Sequence, residues 1–196
     1  MFFDRIFPYF FLFKLRKEVL ICIMGTCITH DQMASYYYFL NLEGYGKCHE
    51  YHYWEESKNY LCLKKYYFKH HEKLIKEKSI ENPQIIPSSW INYTKEQVDI
   101  NTKRSSVKSG LEKWVNWEEE TKKLYEKSYA DLIALGCVGD ALFISKFLKD
   151  VDCELAHIKK CYIKLQDCDF SIESIIGDQK CKKEKYKEKI KGINEG

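Results

Sequence analysis

Apolar positions recur along this chain at three- and four-residue steps over long stretches without Pro or Gly, the period of amphipathic helices. From about Thr29 to Leu42, the residues Ile28, Gln32, Ser35, Tyr36, Phe39 and Leu42 share a face, and Gly44 and Gly46 are expected to end the helix. A second helix is predicted from about Glu50 to Lys78, with Tyr53, Leu61, Leu63, Tyr67, His70, Leu74 and Ile75 inward. The third runs from near Val107 to about Ala134 and turns Leu111, Trp114, Val115, Glu118, Thr121, Tyr125, Leu132 and Leu135 inward. Gly136 to Gly139 makes a turn into a fourth, from Asp140 to about Leu165, whose apolar set is Leu142, Ile144, Phe147, Leu148, Val151, Leu155, Ile158 and Tyr162. Asp167-Cys168-Asp169 breaks that helix, and Ser171 is placed to N-cap a shorter fifth, Ile172 to about Ile190, whose lysine-rich end reads as a solvated face.

Between the second and third helices the pattern fails from Ser79 to about Ser106, across Pro83 and Pro87. A connection this long lets helices two and three lie parallel. The expected fold is all-α: an up-down four-helix bundle with one long crossover between helices 2 and 3, plus a short C-terminal fifth helix. Periodicity leaves several kinds of bundle open, so polar residues on the buried faces must decide.

A chain of 196 residues allows one such domain and excludes two large ones. With 32 basic against 29 acidic side chains the net charge is only +3, so nucleic acid is not an expected partner. None of the nine cysteines forms a CxxC pair, which removes zinc-ribbon and dithiol readings, and their odd number fits reduced thiols in a cytoplasm. The opening segment stands apart. Its apolar run Ile6 to Phe13 is closed by Lys14 to Glu18 before a second short run from Val19 to Met24, and neither can span a bilayer. Its charges and its lack of a small-residue cleavage site do not fit a secretory leader. Residues 1–23 are expected to be a weakly structured extension, or no part of the mature chain; residues 24–191 form the domain, and 192–196 a disordered tail. If the working chain starts at Met24, Met24-Gly25-Thr26-Cys27-Ile28-Thr29 fits the loose N-myristoylation pattern. An aromatic N-terminus acting as an interfacial anchor is a further reading, without stable membrane insertion.

Ionisable residues that interrupt apolar faces are candidate metal ligands, because iron takes oxygen and imidazole donors converging from several helices. Glu118 interrupts the face of helix three, His70 that of helix two, and Asp31 lies near the start of helix one. Glu154-Leu155-Ala156-His157 is a Glu-x-x-His on helix four, although its phase puts Glu154 at the margin of the apolar set and His157 outward. His49-Glu50-Tyr51-His52 and His70-His71 could take a metal at the surface.

These residues resemble a family. Asp31-Gln32-Met33-Ala34-Ser35-Tyr36 is similar to the first-helix Glu-Leu-Tyr-Ala-Ser-Tyr pattern of ferritins, and Lys69-His70-His71-Glu72-Lys73-Leu74 resembles their second-helix Glu-His-Ala-Glu-Lys-Leu. Trp117-Glu118-Glu119-Glu120-Thr121-Lys122-Lys123-Leu124 is similar to their His-Glu-Lys-Lys-Val-Thr-Lys-Leu, Glu118 and Val151 stand at the family's third-to-fourth-helix spacing, and Pro83 to Trp90 resembles the start of the ferritin crossover. The resemblance implies a ferritin-like fold and an iron site with Asp31, His70 and Glu118 as ligands. Two family ligands are replaced: Tyr67 stands where the bridging glutamate belongs and Val151 where the glutamine belongs. A phenol is a poor bridge and valine cannot ligate, so ferroxidase chemistry, oxidation of Fe(II) by O2, is expected to be weakened.

The implied function is iron binding and storage or detoxification as a ferritin-like cytoplasmic subunit, in a homo-oligomer or a hetero-oligomer with other ferritin subunits. The alternative is a metal-free structural or regulatory subunit that co-assembles with an active partner.

Overall fold

The computed structural model describes residues 3–71 and 98–194, and the side chains of 17–70 and 98–193. The described residues form five helices: α1 (Phe3–Phe39), α2 (Glu43–His71), α3 (Ile100–Ala134), α4 (Val138–Gln166) and α5 (Ile172–Asn194). Helix α1 meets α3 through Cys22 and Thr121 (3.7 Å), Thr26 and Trp117 (3.1 Å), and Tyr36 and Ser106 (2.8 Å), so the two run antiparallel. Helices α2 and α4 are antiparallel as well, joined by Tyr66 and Asp140 (2.9 Å) near one end and by His52 and Glu154 (3.1 Å) farther along. Since α1 and α2 form a hairpin, α2 and α3 are parallel, as the long connection requires. The crossover from Pro83 to Trp90 lies outside the described residues.

Several boundaries differ from expectation. Helix α1 starts at Phe3, and Val19, Leu20 and Ile23 are buried in the core. Of the residues expected inward, Tyr36 and Leu42 are buried in the core and Phe39 packs against it, whereas Ser35 is exposed; the stripe Ile23, Cys27, His30, Met33, Tyr37 and Leu40 is buried beside them. Gly44 and Gly46 do not stop a helix. The turn lies at Leu40 to Leu42, with Asn41 at φ 57°, and both glycines sit in the first turns of α2. A Cβ at Gly44 would fall 2.0 Å from the Gln179 carbonyl oxygen of α5, so only glycine allows that approach.

Helix α3 begins seven residues before Val107 because Asp99 caps it, accepting from the Thr102 amide at 2.6 Å. The expected inward face of α3 is observed. At the far end Ser171 caps α5 through the Ser174 amide (3.2 Å), and α5 runs to Asn194. The lysine-rich face is not wholly solvated either: Lys182 is buried and ion-paired to Asp178 at 2.7 Å, and Asp178 also accepts from the Tyr45 hydroxyl at 2.7 Å. Leu61 and Leu142, expected inward, are exposed.

Two apolar clusters fill the bundle. One contains Met33, Tyr37 and Leu40 of α1, Tyr45 and Cys48 of α2, Leu111 and Trp114 of α3, and Ile158 and Leu165 of α4. The other contains Val19 and Ile23, Leu63 and Tyr67, Tyr125 and Leu132, and Ile144, Phe147 and Val151. Each helix therefore has a gap between its two apolar stretches, and polar residues fill that gap: Thr26, Thr29 and His30, then His49 and His52, then Glu118 and Thr121, all buried.

Candidate metal centre

The level of this polar layer follows from the turns. His30 lies eleven residues before Asn41 and His52 eleven after it, so a hairpin with the same rise on both arms sets them side by side. Glu118 and Glu154 stand eighteen residues on either side of Gly136, which is in the left-handed region at φ 71°. All four helices thus deliver ionisable side chains to one height.

His30, 1% exposed, Glu118, 2% exposed, and Glu154 bring one ligand atom each to within 4.8 Å of one another. His30 Nε2 is 4.0 Å from Glu154 Oε1, and His52 Nδ1 is 3.1 Å from that same oxygen, without hydrogen-bond geometry. His30 Nε2, His52 Nε2 and Glu154 Oε1 are buried atoms with no hydrogen-bond partner. Leaving such atoms unpaired costs about 1–3 kcal/mol each, so the arrangement is out of place in a purely structural core. The indole Nε1 of Trp114, one turn before Glu118, donates to Glu118 Oε1 at 3.2 Å. On the other side His30 Nδ1 lies 2.9 Å from His49 Nδ1, and His49 stacks on Tyr37 at an interplanar angle of 14°.

Burial dominates the electrostatics of this layer. Burial pushes the Glu118 carboxyl up to about 7, and burial together with repulsion from Glu118 pushes Glu56, one turn beyond His52, up to about 8. Glu154 is raised well above its ordinary range by burial and by the Glu118 and Glu56 charges. Burial lowers His30 to about 3 and holds His49 and His52 neutral well below 6.5. Neutral imidazoles and carboxyls that resist ionising are the state a divalent cation would reverse, taking imidazole lone pairs and displacing carboxyl protons.

The expected ligands distribute unevenly. Glu118 is in the cluster. Asp31 is exposed on α1, its neighbour His30 taking the inward position. His70 is exposed in the last turn of α2, its ring 4.6 Å from Tyr66. Neither joins Glu118 in the group. Tyr67 and Val151 are buried in the second apolar cluster, Val151 one turn before Glu154. Glu154 points inward rather than lying at the margin, whereas His157 is exposed and faces Cys161 (3.8 Å) and Lys185 (3.4 Å), outward as its phase implied. His49 and His52 are buried, not at the surface. Sequence reasoning missed His30 altogether; the signal that could have located its partners is His49-x-x-His52-x-x-x-Glu56, three donors on one face of a helix.

No protein-family model matches the chain, and no curated protein does. Among solved structures, an engineered closed form of the Archaeoglobus fulgidus ferritin superposes with a TM-score of 0.72 at 14% identity, over 88% of this chain and 94% of that one. The chain has the ferritin fold. The ferritin fold accounts for the parallel α2 and α3; α5 packs along the first half of α2, Gln179 against Gly44 and Tyr186 against Tyr51. All nine cysteines are free, and among the described residues no helix is long and apolar enough to cross a membrane.

Proposed function

We propose that this ferritin-fold chain is an iron-handling subunit that binds Fe(II) through His30, Glu118 and Glu154, for storage or detoxification in the cytoplasm. The observation that carries the reading is the set of buried, unpartnered donor atoms, His30 Nε2 and Glu154 Oε1, beside Glu118 in the middle of the bundle. One imidazole and two carboxylates are donors that first-row divalent cations accept, and a fold closed around them excludes competing water. Assembly into a homo-oligomer, or with other ferritin subunits, belongs to the same reading.

Oxidation of the bound iron by O2 is expected to be slow. Tyr67 and Val151, where the ferritin resemblance calls for a bridging glutamate and a glutamine, supply apolar packing instead of carboxylate or amide ligands. The chain's own residues have two tasks: the two carboxyls release protons as the cation enters, and Trp114 holds the Glu118 carboxylate in place.

The test is anaerobic Fe(II) titration of the purified full chain, followed by admission of air and comparison with a protein-free blank. Binding lost in His30→Ala and Glu154→Ala, but kept in Asp31→Ala, supports this ligand set. Binding lost only in Asp31→Ala and His70→Ala would return the site to the positions the resemblance named. A chain that binds no iron while co-purifying with a ferroxidase-competent subunit would establish the metal-free alternative.

A further inference from the structure

Two buried, neutral imidazoles in Nδ1 to Nδ1 contact at 2.9 Å share a single proton. If it sits on His30 Nδ1, then His49 Nδ1 accepts, His49 carries its own proton on Nε2, and His30 Nε2 is left with a bare lone pair. If it sits on His49 Nδ1, His30 must be protonated on Nε2 and cannot ligate through that atom. The surroundings favour the first arrangement. His30 Nε2 is the nitrogen that faces the Glu154 carboxyl at 4.0 Å, and it is buried without a hydrogen-bond partner, as a lone pair awaiting a cation would be. His49 cannot turn away to release the contact: it is 2% exposed, stacked on the fully buried Tyr37, and set against Trp114 with ring centroids 4.4 Å apart.

We propose that His49 is the positioning residue of the metal centre: by accepting the Nδ1 proton of His30 it fixes the His30 tautomer and aims the Nε2 lone pair at Glu118 and Glu154. This rests on the reading of His30 as a metal ligand. An imidazole is an unusual acceptor for the outer nitrogen of a ligating histidine, where a carboxylate or carbonyl is common, and being neutral it adds no negative charge to a layer that already holds Glu56, Glu118 and Glu154. Its effect is therefore orientation and tautomer, without the electrostatic gain a carboxylate would bring.

The first test needs no metal. Long-range 1H–15N correlation of the imidazoles in the uniformly labelled full chain assigns each tautomer. The expected result is His30 protonated on Nδ1 and His49 on Nε2; His30 protonated on Nε2 overturns the proposal. The second test uses Co(II), whose visible bands report its ligand geometry. His49→Phe keeps a ring to stack on Tyr37 but removes the acceptor, and is expected to weaken Co(II) binding about 10- to 100-fold. His49→Asn places an amide oxygen near the lost Nδ1, and is expected to recover most of the affinity and the wild-type bands. Unchanged binding in His49→Phe, with binding abolished in His30→Ala, overturns the positioning role and leaves the metal reading intact. Binding unchanged in His30→Ala sinks both.

Discussion

Trp114 and Glu118 form a donor–acceptor pair one helical turn apart, with the indole Nε1 3.2 Å from the Glu118 carboxylate and both side chains buried. The bond favours the ionised carboxylate against the burial that opposes it. Trp114→Phe keeps much of the ring packing and removes the donor. Glu118 should then hold its proton to higher pH, and the pH midpoint for Co(II) or Fe(II) binding should move upward, with several-fold weaker affinity at pH 7. A titration series across pH 6 to 9 reads this directly.

The stability of the metal-free chain should pass through a plateau in pH. Glu118 at about 7 and Glu56 at about 8 lie above their ordinary 4.5, and Glu154 is shifted the same way. As pH falls through 8 and 7 the folded chain takes up protons that the unfolded chain does not, so stability rises. Below 6.5 the unfolded chain begins to protonate His30, His49 and His52, which the fold keeps neutral, and the two trends oppose each other down to about 4.5. Below 4.5 the unfolded carboxyls also protonate and stability falls. Denaturant unfolding should give higher stability at pH 6 than at pH 8.5, with the difference reduced in Glu118→Gln.

Gly110 lets α3 approach Tyr37. A Cβ at this position would lie 2.0 Å from the Tyr37 hydroxyl and 3.3 Å from the Met33 side chain, and Tyr37 is fully buried. Gly110→Ala should destabilise the chain by about 1–3 kcal/mol through overpacking. Gly177→Ala, in α5 with nothing within 4 Å, should instead stabilise by about 0.5–1 kcal/mol, since helix propensity alone then decides. Thermal melts of the two variants test the opposite signs.

The buried Lys182–Asp178 pair holds α5 against α2, because Asp178 also accepts from Tyr45. Lys182→Met strands a buried carboxylate and should cost about 3–5 kcal/mol. Replacing both, Lys182→Met with Asp178→Leu, removes the stranded charge and should cost less than the single change. A double-mutant cycle in urea decides it.

The helices were legible wherever polar and apolar positions alternate clearly. In α3, charged residues such as Glu119, Glu120 and Lys123 flank the apolar stripe, so the face carrying Trp114, Glu118 and Tyr125 could be read without a structure. In α1 the run Tyr36-Tyr37-Tyr38-Phe39-Leu40 is apolar on every side and carries no phase, so periodicity does not single out His30 as the buried residue beside the exposed Asp31. Glycine is a poor helix former, so from the sequence Gly44 and Gly46 read as a helix end; in the fold they allow close contacts with Gln179 and Tyr38, which no local pattern contains.

The sequence by itself therefore determined an all-helical bundle, its long connection, most helix faces, and the presence of Glu118 and Glu154 on the chain's inner helices. Only the tertiary structure decided which donors share a height. That height depends on where each hairpin turns, because a helix rises by a fixed step per residue and moving the α1–α2 turn to Asn41 brings His49 and His52, not His70, level with Glu118. Periodicity fixes the angle of a residue around its own helix; its depth along the bundle is set by turns and packing against the other three.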